Sequence, residues 1–206
     1  VTHKEVFYPE SQFGGFTDVD GTIAFYARVH ALLDGASVVL DAGCGRGAYQ
    51  DDEVRLRRDL RILKGKVARV IGIDVDPAAE SNPYIDEFRR FTSGAWPVPD
   101  ASVDLVLADC VLEHVAEPPA FFREAHRVLR PSGALCIRTT NAWSYVGLAA
   151  RLVPNRHHAT VTARVQEKRE AEDVFPTVYR CNSVPALRRA LRRHGFEGVA
   201  YGFEAE

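Results

Sequence analysis

Residues Val38 to Gly47, Val-Val-Leu-Asp-Ala-Gly-Cys-Gly-Arg-Gly, constrain the fold of this chain more than any other stretch. The apolar run Val38-Val39-Leu40 reads as a buried strand. It ends at Asp41 and breaks into glycines at 43, 45 and 47, ahead of a helix-compatible segment. Glycine in such a loop lets the backbone turn sharply and lets a ligand approach the main chain with no Cβ in the way. The acid is the discriminating residue. A carboxylate at the strand end would repel a phosphate, whereas it suits a ligand carrying positive charge or donor groups.

The loop alone is ambiguous, because Gly43-x-Gly45-x-x-Ala48 also satisfies the loose dinucleotide fingerprint. Its context narrows the choice. Val70-Ile-Gly-Ile-Asp-Val-Asp-Pro77 reads as a second buried strand ending in acid, and an acid there suits a ribose diol. A further apolar strand, Val103 to Ala108, runs into Asp109-Cys-Val-Leu-Glu-His-Val115. An amphipathic helix follows, then Arg127-Val-Leu-Arg-Pro-Ser-Gly133 and a strand over Ala134 to Arg138. Alternating strands and helices imply a mainly parallel sheet with helices on both faces. Ligands in such sheets bind beyond the carboxyl ends of the strands. Asp41, Gly43, Asp74 and Asp109 all stand at such ends, so four signals converge on one expected cleft.

These blocks resemble those of the class I S-adenosylmethionine-dependent methyltransferases. The matching segments are Asp41-Ala-Gly-Cys-Gly-Arg-Gly47, Asp74, Trp96-Pro-Val-Pro-Asp-Ala-Ser-Val-Asp104, Val111-Leu-Glu-His-Val115 and Arg127 to Gly133, spread over roughly residues 37 to 142. Each is weak alone; five in order are specific. The resemblance implies a three-layer Rossmann-like α/β sandwich, with S-adenosylmethionine as cofactor and S-adenosylhomocysteine as product. It also implies a small-molecule or sugar-containing acceptor.

Carried over by position, Asp41, Gly43, Cys44, Gly45 and Gly47 would hold the methionine part, Asp74 the ribose hydroxyls, and Val75 the adenine face. Thr92 occupies the slot where the family often has an acid for the adenine amino group, so Ser93 or backbone carbonyls are the candidates there. Asp109 and Cys110 would line the floor near the sulfonium. Arg46 and Arg28 are candidates for the cofactor carboxylate, and Tyr8, Phe13 and Tyr26 for a lid. His114, or His157 with its neighbour His158, would serve as base toward a hydroxyl acceptor. Oxygen is the favoured acceptor atom, because candidate bases exist and no Asn-Pro-Pro-Tyr-like amide-binding motif occurs. Two other readings stay open: a cofactor-binding module without catalysis, and a nicotinamide-dependent oxidoreductase. Asp18-Val-Asp-Gly-Thr22 resembles the nucleophile motif of haloacid-dehalogenase-type phosphatases, but no buried strand precedes it.

At 206 residues, the whole chain is expected to be one domain. Its parts are an N-terminal cap (1–36), a cofactor-binding core (37–142), an acceptor-side insertion (143–180) and a last helix and strand (181–206). Hydrophobic residues at 46% and charged residues at 26% fit a globular chain. A net charge of −2 gives no support for binding nucleic acid or a membrane surface. No apolar run approaches the ~20 residues needed to span a bilayer, and the largely polar stretch from Val1 to Glu5 shows no signal-peptide pattern. Cysteines 44, 110, 136 and 181 lie far apart with no CxxC, which predicts reduced thiols in a cytoplasmic protein and no zinc or other metal. The chain has no Met, as expected where the initiator is absent. The family's seventh, antiparallel strand is expected to be missing, since the sequence stops at Glu206.

Helices are expected over Thr22–Leu33, Gly47–Leu63, Pro118–Leu129 and Ser183–His194, the last with Ser183 as N-cap and Gly195 as stop. A short helix is expected over Pro77–Ala79 or Pro83–Phe88, and a sixth strand over Phe196–Phe203.

Overall fold

The computed structural model describes residues 3–144 and 176–203. Two compact units divide the chain. The first comprises Val1–Ala108, Arg127–Cys136 and Phe203–Glu206; the second comprises Asp109–His126 and Ile137–Gly202.

The first unit is built on a sheet. Its strands are β1 (Val38–Ala42), β2 (Arg69–Asp74), β3 (Glu87–Arg90), β4 (Val103–Asp109) and β5 (Leu129–Arg138), in spatial order β3-β2-β1-β4-β5; Asp109 at the end of β4 and Ile137 and Arg138 at the end of β5 fall in the second unit. The pairs β1–β2, β1–β4 and β2–β3 are all parallel, with Leu40 opposite Ile71 and Val106, and Ile71 opposite Glu87. Parallel strands covered on both faces require near-continuous apolar runs. Val39-Leu40, Val70-Ile71 and Leu105-Val106-Leu107 supply them, all nearly solvent-free. The chain moves outward from β1 to β2 and β3, then returns to β4 on the other side of β1. That reversal is the topological switch point where open α/β sheets bind ligands. Tyr26 and Val29 pack into the core cluster with Val39, Val70, Ile85, Leu105 and Leu107.

Helices α1 (His3–Phe7), α2 (Gly21–Ala31) and α3 (Arg55–Arg61) belong to this unit. Asp20, in the motif that resembles a phosphatase nucleophile, is the N-cap of α2. One carboxylate oxygen takes the Thr22 and Ile23 amides at 3.0 and 2.9 Å, and the other pairs with Arg57 at 2.9 Å. A buried cap at the head of a helix thus accounts for this acid.

Several expectations are corrected here. The helix expected over Gly47–Leu63 is a 3₁₀ turn (Ala48–Asp51), a break, and the seven-residue α3. Asp52 makes the break: it accepts the Val54 amide at 3.0 Å and grips Arg57 through two bonds, closing a local turn that competes with helix. Pro77–Ser81 is a 3₁₀ turn capped by Asp76, while Pro83–Phe88 is not helical: the chain enters β3 at Glu87. Strand β5 begins at Leu129, before the expected Ala134. Gly133 lets it do so, since a Cβ there would meet the Arg130 and Asp104 carbonyls at 3.0 Å.

In the second unit, α4 (Pro118–Val128) contributes its residues up to His126, burying Phe122 and Ala125, and Leu112 is buried as well. Helix α5 (Val184–Arg193) starts as expected: Ser183 caps it by accepting the Ala186 amide at 3.4 Å, and Gly195 ends it in the left-handed region. The His194 ring stacks on Phe122 at 5.7 Å and His126 meets Phe196 edge-on at 5.5 Å. Residues 196–203 form no strand, so the expected sixth strand is not found there.

Candidate cofactor and acceptor sites

In the first unit, the loop after β1 is held from both sides. Gly43, Gly45 and Gly47 all adopt positive φ (80°, 53° and 75°). The Gly43 and Cys44 amides donate to the Ile73 carbonyl at 2.7 and 3.3 Å, and the Gly45 amide donates to Asp74 Oδ2 at 2.9 Å. Three successive loop N–H groups are therefore spent on the end of β2. A pyrophosphate wants those groups for itself, so this arrangement argues against a dinucleotide loop.

The loop carbonyls are spent as well. Asn82, 4% exposed, donates its carboxamide to the Cys44 and Gly45 carbonyls at 3.0 Å each. The Cys44 side chain turns down into the core, where a Cβ on Gly72 would strike its sulfur at 2.7 Å. Burial, then the Asp41 and Asp74 charges, push its thiol above the ordinary range. Cys44 therefore offers a ligand no side-chain group, and of its main chain only the second lone pair of its carbonyl.

Gly47 closes this region tightly. A Cβ there would lie 2.7 Å from Asn82 Oδ1 and 3.1 Å from the Tyr84 ring, at a backbone angle that L residues rarely adopt. Gly47→Ala is expected to lose ~1–3 kcal/mol of stability. An unchanged urea midpoint would refute this.

Asp74 stands at the end of β2, half-buried. Its Oδ1 accepts the Asp76 amide and its Oδ2 the Gly45 amide, each at 2.9 Å. An ionised carboxylate has about four acceptor positions, so each oxygen retains capacity for one more donor, which is what a vicinal diol offers. Val75, next in the chain, leaves an apolar side chain 46% exposed, suited to the face of a base. Gly43 is exposed beside the half-buried Asp41. Together these residues fit a ribose, an adenine face and a cationic amine, which are the parts of S-adenosylmethionine. Ser93 lies exposed in a loop whose next residue, Gly94, has φ +80°.

Asp109, Cys110 and His114 lie in the second unit. The Asp109 carboxylate is held bidentately by Arg138, Nε on Oδ1 at 2.6 Å and Nη2 on Oδ2 at 2.8 Å. Cys110 follows in the left-handed region (φ 58°), its amide donating to the Arg138 carbonyl at 2.9 Å. Glu113, buried at 4% exposure, takes the Thr139 hydroxyl at 2.6 Å and the Thr140 hydroxyl at 3.4 Å. Asn182 in turn donates to Thr139 Oγ1 at 2.6 Å, and its carbonyl takes the Ala142 amide. The Glu113 carbonyl receives the Val178 and Tyr179 amides, and His114 Nδ1 sits 3.1 Å from the Pro176 carbonyl. Glu113 is thus bonded on both sides of the stretch expected to shape the acceptor side: its carboxylate to Thr139 and Thr140, its main-chain carbonyl to Val178 and Tyr179.

Glu113→Ala would leave Thr139 without an acceptor in a part-buried network, a loss of ~1–3 kcal/mol. Glu113→Gln, which keeps one oxygen, should lose less. Equal denaturation midpoints for both variants and wild type would contradict this.

Other expected residues divide clearly. Arg28 turns its guanidinium onto the Ala24 carbonyl of its own helix at 2.5 Å, so it is not aimed at a cofactor carboxylate. Tyr26 is a core residue, edge-on to Phe25 at 5.3 Å, not part of a lid. Phe13 is exposed and Tyr8 half-buried. Arg46 lies half-buried within the glycine loop. His157 and His158 lie outside the described residues. Asn82 was missed by sequence reading: no local pattern marks a residue whose role is to hold carbonyls 38 positions upstream. All four cysteines are free, and among the described residues no group of His, Cys, Asp and Glu is placed to hold a metal.

The fold and loop define a class: an α/β domain whose parallel sheet carries a glycine loop and acids at its strand ends. The chain belongs to the methyltransferase domain family, whose model matches residues 20–201. A probable S-adenosylmethionine-dependent methyltransferase of Mycolicibacterium smegmatis is 36% identical over 108 residues, covering 50% of this chain and 38% of that protein. A ubiquinone biosynthesis O-methyltransferase of Xanthomonas oryzae pv. oryzae is 34% identical over 144 residues, covering 63% of this chain and 58% of that protein. The chain thus spans less than two thirds of either relative. A solved S-adenosylmethionine-dependent methyltransferase from Archaeoglobus fulgidus is similar in fold, with a TM-score of 0.51 at 20% identity, over 95% of this chain and 75% of that one.

Proposed function

We propose that this chain is a methyltransferase that uses S-adenosylmethionine and acts on a hydroxyl of a small-molecule or glycosylated acceptor. The single observation that carries the cofactor reading is Asp74, whose two oxygens each hold one backbone amide beside an exposed Val75 and a glycine loop with its own amides already spent. One family model spans both compact units, which supports residues 1–206 working as one methyltransferase domain.

The chemistry supplied by bound S-adenosylmethionine is a methyl carbon already activated by its sulfonium. Asp74 would hold the ribose hydroxyls, Val75 the adenine face, Ser93 the adenine amino edge, and Asp41 the amino group, with Gly43, Cys44, Gly45 and Gly47 shaping the loop against which the amino-acid end lies. Asp109 and Cys110 would flank the sulfur, Asp109 through main chain, since Arg138 occupies its carboxylate. The remaining task is alignment, water exclusion and removal of the acceptor proton. For that proton we assign His114, with His157 as the second candidate. The relative named as an O-methyltransferase supports oxygen as the acceptor atom. No described helix is long and apolar enough to cross a membrane, and a cytoplasmic location fits the four free cysteines.

Calorimetric titration with S-adenosylhomocysteine and, in parallel, NAD tests the cofactor. Labelled-methyl transfer to a panel of phenols, sugars and amines tests the acceptor. Binding of S-adenosylhomocysteine with transfer to hydroxyls alone is expected. NAD binding with no S-adenosylhomocysteine binding would overturn the proposal. Cofactor binding without turnover on any acceptor would favour a non-catalytic module.

A further inference from the structure

Asn82 is buried behind the glycine loop, and each of its polar atoms is used. Nδ2 donates to the Cys44 carbonyl and the Gly45 carbonyl, both at 3.0 Å, and Oδ1 accepts the Tyr84 amide at 2.9 Å. These three partners fix the orientation of the carboxamide, since a flip would set oxygen against two carbonyls and NH₂ against an N–H. The same Oδ1 would lie 2.7 Å from a Cβ on Gly47. One side chain therefore governs three consecutive features of the loop: where its carbonyls point, how it leaves Gly45, and why Gly47 has no side chain. The amides of Gly43, Cys44 and Gly45 are meanwhile drawn to β2. Asn82 supplies the opposing tie: without it the Cys44–Gly45 peptide keeps only its N–H bond to Asp74, and the Gly45–Arg46 peptide loses the bond on its carbonyl.

We propose that Asn82 is a positioning residue for the cofactor: its two donated hydrogen bonds set the loop shape on which S-adenosylmethionine affinity depends. It does so from behind the loop and needs no contact with the ligand. The inference rests on the proposed cofactor, and the test separates the two.

Asn82→Asp is nearly isosteric and keeps an acceptor for the Tyr84 amide, but it sets a negative oxygen against the two loop carbonyls. Asn82→Ala removes all three bonds. The readouts are calorimetry with S-adenosylhomocysteine and ¹H–¹⁵N spectra of the unliganded protein. Both variants should bind about tenfold more weakly or worse. Their Gly43, Gly45 and Gly47 amide resonances should move, while those of Leu105, Val106 and Leu107 in β4 stay in place. Wild-type affinity and unmoved loop resonances in both variants would overturn the proposal. So would loss of the β4 resonances in both, because Asn82 would then support the fold at large. If wild type binds no S-adenosylhomocysteine, the cofactor reading fails. The positioning role for that cofactor falls with it, and the spectra decide separately whether Asn82 sets the loop shape: moved loop amides uphold that and unmoved ones sink it.

Discussion

Asp74→Ala is expected to weaken S-adenosylhomocysteine binding more than a hundredfold. Two losses combine. The ligand's diol loses its carboxylate, and hydrogen bonds to a charged group are each worth ~1.5–3 kcal/mol. The Gly45 amide also loses its acceptor at 2.9 Å, so the loop that must receive the amino-acid end is released at its middle. Together these exceed the ~2.7 kcal/mol that a hundredfold change requires. Asp74→Asn should not rescue. An amide offers an oxygen to one of the two backbone N–H groups and sets its own NH₂ against the other, where the carboxylate accepts both. Calorimetry on the three proteins checks this. An Asp74→Ala variant that binds within about threefold of wild type would show that the acid neither meets the diol nor sets the loop for the ligand.

Much of the first unit was legible in the sequence because its signals are local. The run Val38-Val39-Leu40 and the glycines after it demand a buried strand and a tight turn whatever the rest of the chain does. The result is β1 and three positive φ angles. Ser183 and Gly195 bracket α5 for equally local reasons. Failures came where distant partners decide. Glu87-Phe-Arg-Arg90 is too short and too charged to read as a strand. It becomes one because β2 offers Ile71 through Asp74 as a parallel edge, with Glu87 also meeting Arg69 across the pair. Asp52 stops a helix that the charge pattern favoured, because Arg57 and the Val54 amide reward a turn there.

The candidate site divides in the same way. Asp41, Gly43 and Asp74 sit at strand ends, which sequence can locate, and their partners follow from the sheet. That the Asp109 carboxylate is taken by Arg138 could not be read, since nothing in the sequence ties residue 138 to residue 109. Nor could the chain from Asn182 through Thr139 to Glu113, whose members belong to three separate blocks.

The proposed base His114 carries the largest expected effect on turnover, and its hydrogen bond selects the nitrogen that would act in that role. The Pro176 carbonyl can only accept, so Nδ1, 3.1 Å away, donates its N–H to it. In the neutral ring the lone pair is then on Nε2, and Nε2 is the atom that would take the proton of an acceptor hydroxyl. The backbone holds this orientation: the His114 amide closes a 3₁₀ turn on Val111, and the preceding Glu113 carbonyl is tied to the Val178 and Tyr179 amides. His114→Asn and His114→Gln therefore probe different halves of the ring. Asparagine can present an N–H near the position of Nδ1 and so keep the Pro176 contact while offering no base. Glutamine reaches toward the position of Nε2 but is not basic. Both should lower kcat toward a hydroxyl acceptor by about 10²–10⁴, the usual contribution of a positioned base, with S-adenosylhomocysteine affinity unchanged. His114→Asn should also keep wild-type thermal stability. A histidine that only braces Pro176 would give the opposite split: turnover retained in the asparagine variant, and stability lost in the glutamine variant.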